Sequence, residues 1–129
     1  MQNPIKNIGA DLVQISRIEK LYLKYEDTFA KKILSKLELE KFNSLHKNSK
    51  VHYLAKRFAA KEALVKAFGT GFRNGIWFTD FSILNNELGA PVVELHNKAL
   101  DFAKKNNINN ILISLSDEKM YALAFVVLV

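Results

Sequence analysis

The sequence contains no cysteine, and none of its apolar runs is long enough to cross a membrane. The absence of cysteine excludes disulfide bonds and thiolate chemistry, and it fits a protein kept in a reducing compartment. No N-terminal run resembles a signal peptide, and no segment approaches the roughly 20 apolar residues of a transmembrane helix. We therefore expect a cytoplasmic protein with no membrane insertion.

Several motifs of catalysis and of nucleic-acid recognition are also missing. The chain has neither a Gly-x-Ser-x-Gly nucleophile elbow nor a Walker A phosphate loop. It also has no aromatic motif for stacking on RNA, so we expect no nucleic-acid partner. The three histidines lie too far apart for a recognised zinc spacing: His46, His52 and His96.

What is present is a moderately basic chain of ordinary globular composition. Its 129 residues are 49% hydrophobic and 25% charged, which predicts one domain, residues 1–129, with a single core. The net charge is +6, from 19 Lys+Arg against 13 Asp+Glu. A basic surface favours anionic partners such as phosphorylated ligands or an acidic protein.

Hydrophobic periodicity and turn signals predict one α+β domain without linkers or repeats. The predicted strands cover residues 5–13, 76–84, 92–95, 111–116 and 121–129. The predicted helices cover residues 17–25, 29–34, 37–46, 51–68 and 96–106. Capping boxes at Ser16–Glu19 and Ser35–Glu38 predict two helix starts, and the polar stretch Lys47–Lys50 predicts a break. The last strand is almost wholly apolar, so we expect both its faces to be covered, within the protomer or by another subunit.

The most informative feature is a carboxylate on the apolar face of the long helix. Glu62 falls on a stripe with a period of about 3.6 residues, formed by Val51, Ala55, Phe58, Val65 and Phe68. A lone buried carboxylate needs a cation, hydrogen bonds or a proton. Lys66 and a turn with Gly69 and Gly71 follow, which suits a metal-assisted phosphate site. The alternative is an ordinary surface pair of Glu62 with Lys66, followed by a glycine helix cap.

A second carboxylate, Asp11, lies where the first predicted strand ends and the next helix begins. On its own it is equally typical of a turn or a helix cap. Together with Glu62 it gives two oxygen donors near a lysine, with no histidine or cysteine ligand set. Such a set suits Mg²⁺, which takes a few carboxylates, substrate phosphates and waters.

Four motifs, in this order, resemble those of the holo-acyl-carrier-protein synthases, the small bacterial members of the phosphopantetheinyl transferase superfamily. The motifs are Ile8–Val13, Arg57–Gly71, Asn85–Pro91 and Ile113–Ala122. The resemblance covers nearly the whole chain, and the pairing of Ile-Gly-x-Asp with Phe-x-x-Lys-Glu-Ala is its most specific part. It implies the phosphopantetheinyl transferase fold, a small antiparallel sheet packed with helices, assembled as a homotrimer.

The resemblance also implies the reaction. Such enzymes move the 4′-phosphopantetheine arm of coenzyme A onto a serine of apo acyl carrier protein, in support of fatty acid biosynthesis. Asp11 and Glu62 match the residues that hold Mg²⁺ against the pyrophosphate, and Glu62, or a metal-bound water that it orients, is the candidate to accept the serine proton. Lys66, with the backbone N–H groups of Gly69 and Gly71, is expected to contact the phosphates of coenzyme A.

Two further sets of residues are expected to contact the substrates. Arg57 lies five residues before Glu62, so we expect it to point away from the metal and to reach coenzyme A in a neighbouring protomer, unless it is a plain surface arginine. A basic stripe on the first helix, opposite the apolar side chains of Ile18, Leu21 and Tyr25, is expected to dock the acidic carrier protein: Arg17, Lys20 and Lys24. Some members of the family have histidine where this chain has Asp117, to which we assign no role.

Other functions are weaker interpretations of the sequence. The larger, promiscuous transferases are built from two similar halves, and this chain has the length of one half. A non-catalytic protein that binds coenzyme A or a nucleotide would use the same basic pocket but leave its ligand intact. A small RNA-binding domain would have strongly salt-dependent affinity for RNA and no need of Glu62.

Overall fold

The computed structural model describes residues 5–129, which form five strands and five α-helices. The strands are β1 (Asn7–Gln14), β2 (Phe81–Asn85), β3 (Pro91–Leu95), β4 (Ile111–Asp117) and β5 (Tyr121–Leu128). The helices are α1 (Ile15–Tyr25), α2 (Asp27–Ile33), α3 (Lys36–Asn43), α4 (Lys47–Phe68) and α5 (Asn97–Lys105). A short 3₁₀ helix, Phe78–Asp80, precedes β2. Within residues 5–129 no helix is both long and apolar enough to span a bilayer.

The strands form two antiparallel sheets. One has the order β1-β5-β4, and the other is the hairpin of β2 and β3. In the first sheet Asp11 lies opposite Ala124 on the central strand β5. Helix α4 packs against one face of this sheet, and most of its residues from Tyr53 to Phe68 are buried. The α+β prediction is confirmed, with the long helix at the centre of the domain.

A glycine in β1 brings that strand unusually close to α4. A Cβ atom on Gly9 would lie 2.1 Å from the carbonyl oxygen of Ala63 and 2.8 Å from the backbone nitrogen of Ala67. No side chain fits in that space, because real Cβ atoms do not approach backbone atoms so closely. The close contact sets Asp11, two residues further along β1, against the last turns of α4.

The opposite face of the three-stranded sheet is apolar and exposed. Along β5, Ala122, Ala124, Val126 and Leu128 are buried beneath α4, whereas the alternate side chains point outward. Large apolar side chains from all three strands are exposed on that outer face: Ile8, Leu12, Leu112, Leu123 and Phe125. Within a single chain α4 covers one face of β5, and the other face stays exposed. The expectation that both faces are covered is therefore met on one face only.

One of the two predicted capping boxes is wrong and the other is confirmed. Helix α1 starts at Ile15, with Gln14 as its N-cap and no side-chain cap, because β1 runs directly into the helix while the Ile15 N–H donates to the Met120 carbonyl. Ser16 therefore lies inside the helix. At α3 the Ser35 hydroxyl accepts from the Glu38 N–H, and the Glu38 carboxylate accepts from the Ser35 N–H.

Two other boundaries differ from the prediction. Helix α4 begins at Lys47, so the polar stretch Lys47–Lys50 is its first turn, which faces outward and needs no apolar side chains. Strand β2 begins at Phe81 because the preceding residues form the 3₁₀ helix. The apolar run from Ile76 therefore contributes to the core without pairing as a strand.

Candidate active site

Asp11 and Lys66 meet at the junction of β1 and α4. The Lys66 Nζ donates to Asp11 Oδ1 at 3.0 Å and to the Ala10 carbonyl at 3.1 Å. The short contact of Lys66 is therefore with Asp11, and the interpretation of Lys66 and Glu62 as a simple surface ion pair is wrong. The Asp11 side chain is mostly buried, whereas Lys66 is half exposed and its ammonium group reaches solvent.

Glu62 lies beside this pair, partly buried on α4. Burial raises its pKa, and the nearby Asp11 carboxylate raises it further, while Lys66 and Arg17 oppose the shift. Two like charges held close together in a partly desolvated space favour a proton or a cation between them. The structure thus brings Asp11, Glu62 and Lys66 together, with Arg17 of the basic stripe on α1 close enough to act on the charge of Glu62.

The glycine turn closes α4 and leaves open space beside it. Gly69 has a φ of 79°, and its N–H donates to the carbonyls of Val65 and Lys66, so it is the left-handed helix cap that the simpler interpretation expected. The Gly71 N–H also bonds to the Val65 carbonyl, at 3.3 Å. A Cβ atom on either glycine would meet nothing within 4 Å. Both therefore border free space next to Lys66.

Arg57 is buried, so its interpretation as a plain surface arginine is wrong. Its side chain is 5% exposed, and its guanidinium carbon lies 4.0 Å from the centroid of the Tyr53 ring. One Nη donates to the Ile83 carbonyl at 3.0 Å and, more weakly, to Asn85 Oδ1 at 3.4 Å. Within the described residues its Nε has no hydrogen-bond partner, and no carboxylate lies within 4.0 Å of the guanidinium.

The basic stripe on α1 is exposed as expected, and Arg17 joins it to the site. The Arg17 guanidinium carbon lies 5.6 Å from the centroid of the Phe58 ring, and Lys24 Nζ lies 5.2 Å from that of Tyr25. Lys20 is exposed between them. Tyr25 was expected on the buried side of α1 but is 48% exposed.

Beside the stripe lies a cavity of about 490 Å³ between α1, α2 and α4, which we call the aromatic pocket. Its apolar walls are Leu21, Tyr25, Phe29, Phe58, Trp77 and Phe78. Phe58 and Phe78 stack with their centroids 5.4 Å apart, and Trp77 packs edge-on against Phe78 at 5.3 Å. Lys32 at the rim adds another positive charge.

Sequence reasoning missed two ion pairs that hold α4 in place. Lys61 and Glu38 are both 0% exposed and form a buried pair, although Glu38 was interpreted only as a capping residue. Asp117, to which no role was given, accepts from His52 at 2.7 Å and pairs with Lys56 at 3.6 Å, joining the end of β4 to α4. Neither pair has a signal in the sequence, because the partners lie far apart along the chain.

A family model of the 4′-phosphopantetheinyl transferase superfamily matches residues 7–126. The chain belongs to this superfamily. It is 48% identical over 126 residues to a holo-acyl-carrier-protein synthase of Wigglesworthia glossinidia brevipalpis, covering 95% of this chain and 91% of that relative. The resemblance inferred from the four sequence motifs is therefore confirmed.

Solved structures of phosphopantetheinyl transferases share the fold of this chain. A holo-acyl-carrier-protein synthase from Neisseria meningitidis superposes with a TM-score of 0.90 at 40% identity, covering 96% of this chain and 98% of that one. One from Helicobacter pylori, in complex with coenzyme A, superposes with a TM-score of 0.81 at 31% identity, covering 95% and 99%. The predicted fold class is confirmed.

Proposed function

We propose that this chain transfers the 4′-phosphopantetheine group of coenzyme A to a serine hydroxyl of apo acyl carrier protein and releases adenosine 3′,5′-bisphosphate. The observation that carries the proposal is the pairing of Asp11 and Glu62 beside Lys66, at the open end of α4, in a chain of this superfamily. A role in fatty acid biosynthesis and a location in the cytoplasm are part of the same proposal.

Glu62 is the group proposed to accept the serine proton. The serine oxygen forms a bond to the phosphorus that bears pantetheine as the bond to the leaving phosphate breaks, and the serine proton passes to Glu62. Burial together with Asp11 raises the pKa of Glu62 in the metal-free chain, and a cation held between the two carboxylates would oppose that rise, so the proton passes to Glu62 itself or to a water that Glu62 orients. Positioning and charge stabilisation account for most of the catalysis in phosphoryl transfer.

Asp11 and Glu62 are suited to hold Mg²⁺. Both offer oxygen ligands, and the mutual repulsion that raises the pKa of Glu62 would be relieved by a divalent cation between them. In residues 5–129 no cluster of three or more His, Cys, Asp or Glu side chains can hold a metal, so substrate phosphates and waters would complete the set. When bound, Mg²⁺ supplies Lewis-acid stabilisation of the phosphate oxygens.

Lys66 and the glycine turn are proposed to bind the phosphates of coenzyme A. Lys66 already lies within 3.0 Å of Asp11, so its ammonium group is at the same point as the proposed metal ligands. The backbone at Gly69 and Gly71 is accessible because neither carries a side chain and both border open space. The N–H groups of both glycines already donate to carbonyls at the end of α4, so Lys66 supplies the positive charge and the glycines leave room for the phosphates beside it.

A homotrimer with its sites between protomers is also part of the proposal. The exposed apolar face of the sheet is larger than scattered surface hydrophobics would explain, and closed cyclic symmetry buries such a face on every subunit. Arg57 is proposed to contact coenzyme A bound mainly by a neighbouring protomer. Within residues 5–129 its buried guanidinium lacks an anionic partner, which supports an anion from outside, and because Arg57 is 5% exposed that anion must displace the groups that cover it.

The carrier protein is proposed to dock on the basic stripe and the aromatic pocket together. Acyl carrier proteins of the resembling family present an acidic docking helix, which complements the charges of Arg17, Lys20 and Lys24. The aromatic pocket next to the stripe offers a place for an apolar side chain of the same helix. The Arg17 guanidinium lies over the Phe58 ring, and its charge opposes the rise in the pKa of Glu62. The proposed docking surface is therefore next to the proposed catalytic carboxylate.

Reversing a charge in the stripe is expected to weaken carrier binding selectively. For Lys20→Glu the KM for the carrier should rise about ten-fold and lose part of its salt dependence, while the KM for coenzyme A stays unchanged. Lys105→Glu, an exposed lysine on α5, is the matched control and should behave as wild type. Steady-state kinetics with each substrate varied at several salt concentrations measure both effects. Equal losses for both substrates would argue against docking by the stripe.

Intact mass spectrometry tests the proposed function directly. The purified chain is incubated with coenzyme A, Mg²⁺ and an apo acyl carrier protein. The carrier should gain the mass of one phosphopantetheine group, and adenosine 3′,5′-bisphosphate should appear in equal amount. Bound but unchanged coenzyme A would favour the alternative, a non-catalytic binding protein.

A further inference from the structure

The buried pair of Lys61 and Glu38 joins four elements of the fold at one point. Lys61 Nζ donates to the carbonyl of Ile33, the last residue of α2, and to Glu38 Oε1, each at 2.5 Å. The other carboxylate oxygen of Glu38 accepts from the Ile83 N–H at 2.8 Å. The pair therefore connects helices α2, α3 and α4 and strand β2.

Burying two charges costs more desolvation free energy than burying two apolar side chains, so the ion pair must provide something that an apolar pair does not. Burial lowers the pKa of Lys61, and the adjacent Glu38 carboxylate opposes that shift. Replacing a buried ion pair with apolar side chains is often neutral or stabilising. What apolar side chains lack is the directed bond to the Ile33 carbonyl, which fixes where α2 ends.

Ile33 links this pair to the aromatic pocket. The same residue that accepts from Lys61 also lines the pocket, together with Phe29 and Lys32 of α2. The opposite wall of the pocket is α4, which carries both Phe58 and Lys61. The bond from Lys61 to Ile33 thus crosses from one wall of the pocket to the other and fixes the distance between them.

We propose that Lys61 is a positioning residue for carrier-protein recognition: by holding the end of α2 against α4 it sets the width of the aromatic pocket. The inference rests on the proposed function, since the pocket is taken as part of the carrier site. Lys61 makes no hydrogen bond to Asp11, Glu62 or Lys66, so its effect on coenzyme A binding should be small.

The test is a comparison of Lys61→Met with wild type, with each substrate varied in turn while the other is saturating. The KM for the carrier should rise about ten-fold, because the buried hydrogen bond from Lys61 to the end of α2 is lost, while the KM for coenzyme A changes less than two-fold. The double variant Lys61→Met with Glu38→Gln removes the unpaired charge as well. It should regain thermal stability yet keep the raised KM for the carrier.

Ser82→Ala is the matched control from the same buried network. The Ser82 hydroxyl bonds to Ser35 at 2.6 Å and to His96 at 2.8 Å, but it touches neither Ile33 nor the aromatic pocket. This variant should melt at a lower temperature with both KM values unchanged. A wild-type KM for the carrier in the double variant, or an equal rise in both KM values, would overturn the inference. Wild-type protein that transfers nothing would instead reject the proposed function.

Discussion

Glu62→Gln is expected to lower phosphopantetheine transfer by about 100- to 10,000-fold while leaving the fold intact, because the proposed base and a metal ligand are lost together. The measurement is turnover by intact mass, alongside circular dichroism. Glu87→Gln, the same change at an exposed turn between β2 and β3, is the matched control and should retain full turnover. Wild-type turnover in Glu62→Gln would remove Glu62 from the active site.

The same variant has a stability signature that depends on pH. Burial and Asp11 raise the pKa of Glu62 above its ordinary value of 4.5, so the folded protein holds this proton more tightly than the unfolded chain does. At neutral pH, without divalent cation, ionised Glu62 therefore costs stability. That cost is relieved as the pH falls through the raised pKa toward 4.5. The melting temperature of Glu62→Gln should exceed that of wild type at neutral pH, and the difference should vanish toward pH 4.5.

Phe125→Glu is expected to break the proposed trimer and to abolish most of the activity. Phe125 lies on the central strand, opposite Ala10 and Ser114, and is 42% exposed in one chain. A carboxylate there is hydrated in the monomer but buried in an assembly that covers the sheet. Burying an unpaired charge costs several kcal/mol, so association should weaken by more than about 100-fold. Sedimentation and turnover are measured on the same samples.

Leu88→Glu separates assembly from the mere loss of an apolar side chain. Leu88 is 94% exposed on the turn between β2 and β3, which belong to the two-stranded sheet and not to the sheet with the apolar outer face. This variant should sediment and turn over as wild type does. An active monomer of Phe125→Glu would reject the trimer as the working unit, and a stable trimer carrying the glutamate would reject this face as the interface.

The parts of the fold that sequence predicted are those with a local signal. Alternation along Ile111–Leu115 marked β4, and Ser35 with Glu38 marked the start of α3. The candidate site could also be predicted, because Glu62 interrupts an apolar stripe and Asp11 is a carboxylate in the strand before the first helix, although β1 continues to Gln14. Its chemistry came from the resemblance, since spacing alone does not distinguish a metal site from a surface pair.

The parts that sequence missed depend on contacts between distant segments. No role is assigned to Lys61 from the sequence, and only the folded chain shows that Glu38 lies against it. The burial of Arg57 could not be predicted for the same reason, because its partners, Tyr53 apart, come from β2, 26 and 28 residues away. The apolar stripe of α4 excludes both cations, yet α4 is buried on its other sides as well, so the helical period does not reveal that Arg57 and Lys61 are internal.

The single tryptophan of the chain lies at the rim of the aromatic pocket, where Trp77 is 46% exposed and packs on Phe72 and Phe78. The protein therefore carries its own optical probe at the surface proposed for the carrier. Indole emission depends on hydration, so seating of an apolar side chain beside Trp77 should shift the emission to shorter wavelength without any attached dye. A stopped-flow record of that shift would time carrier docking separately from the chemical step.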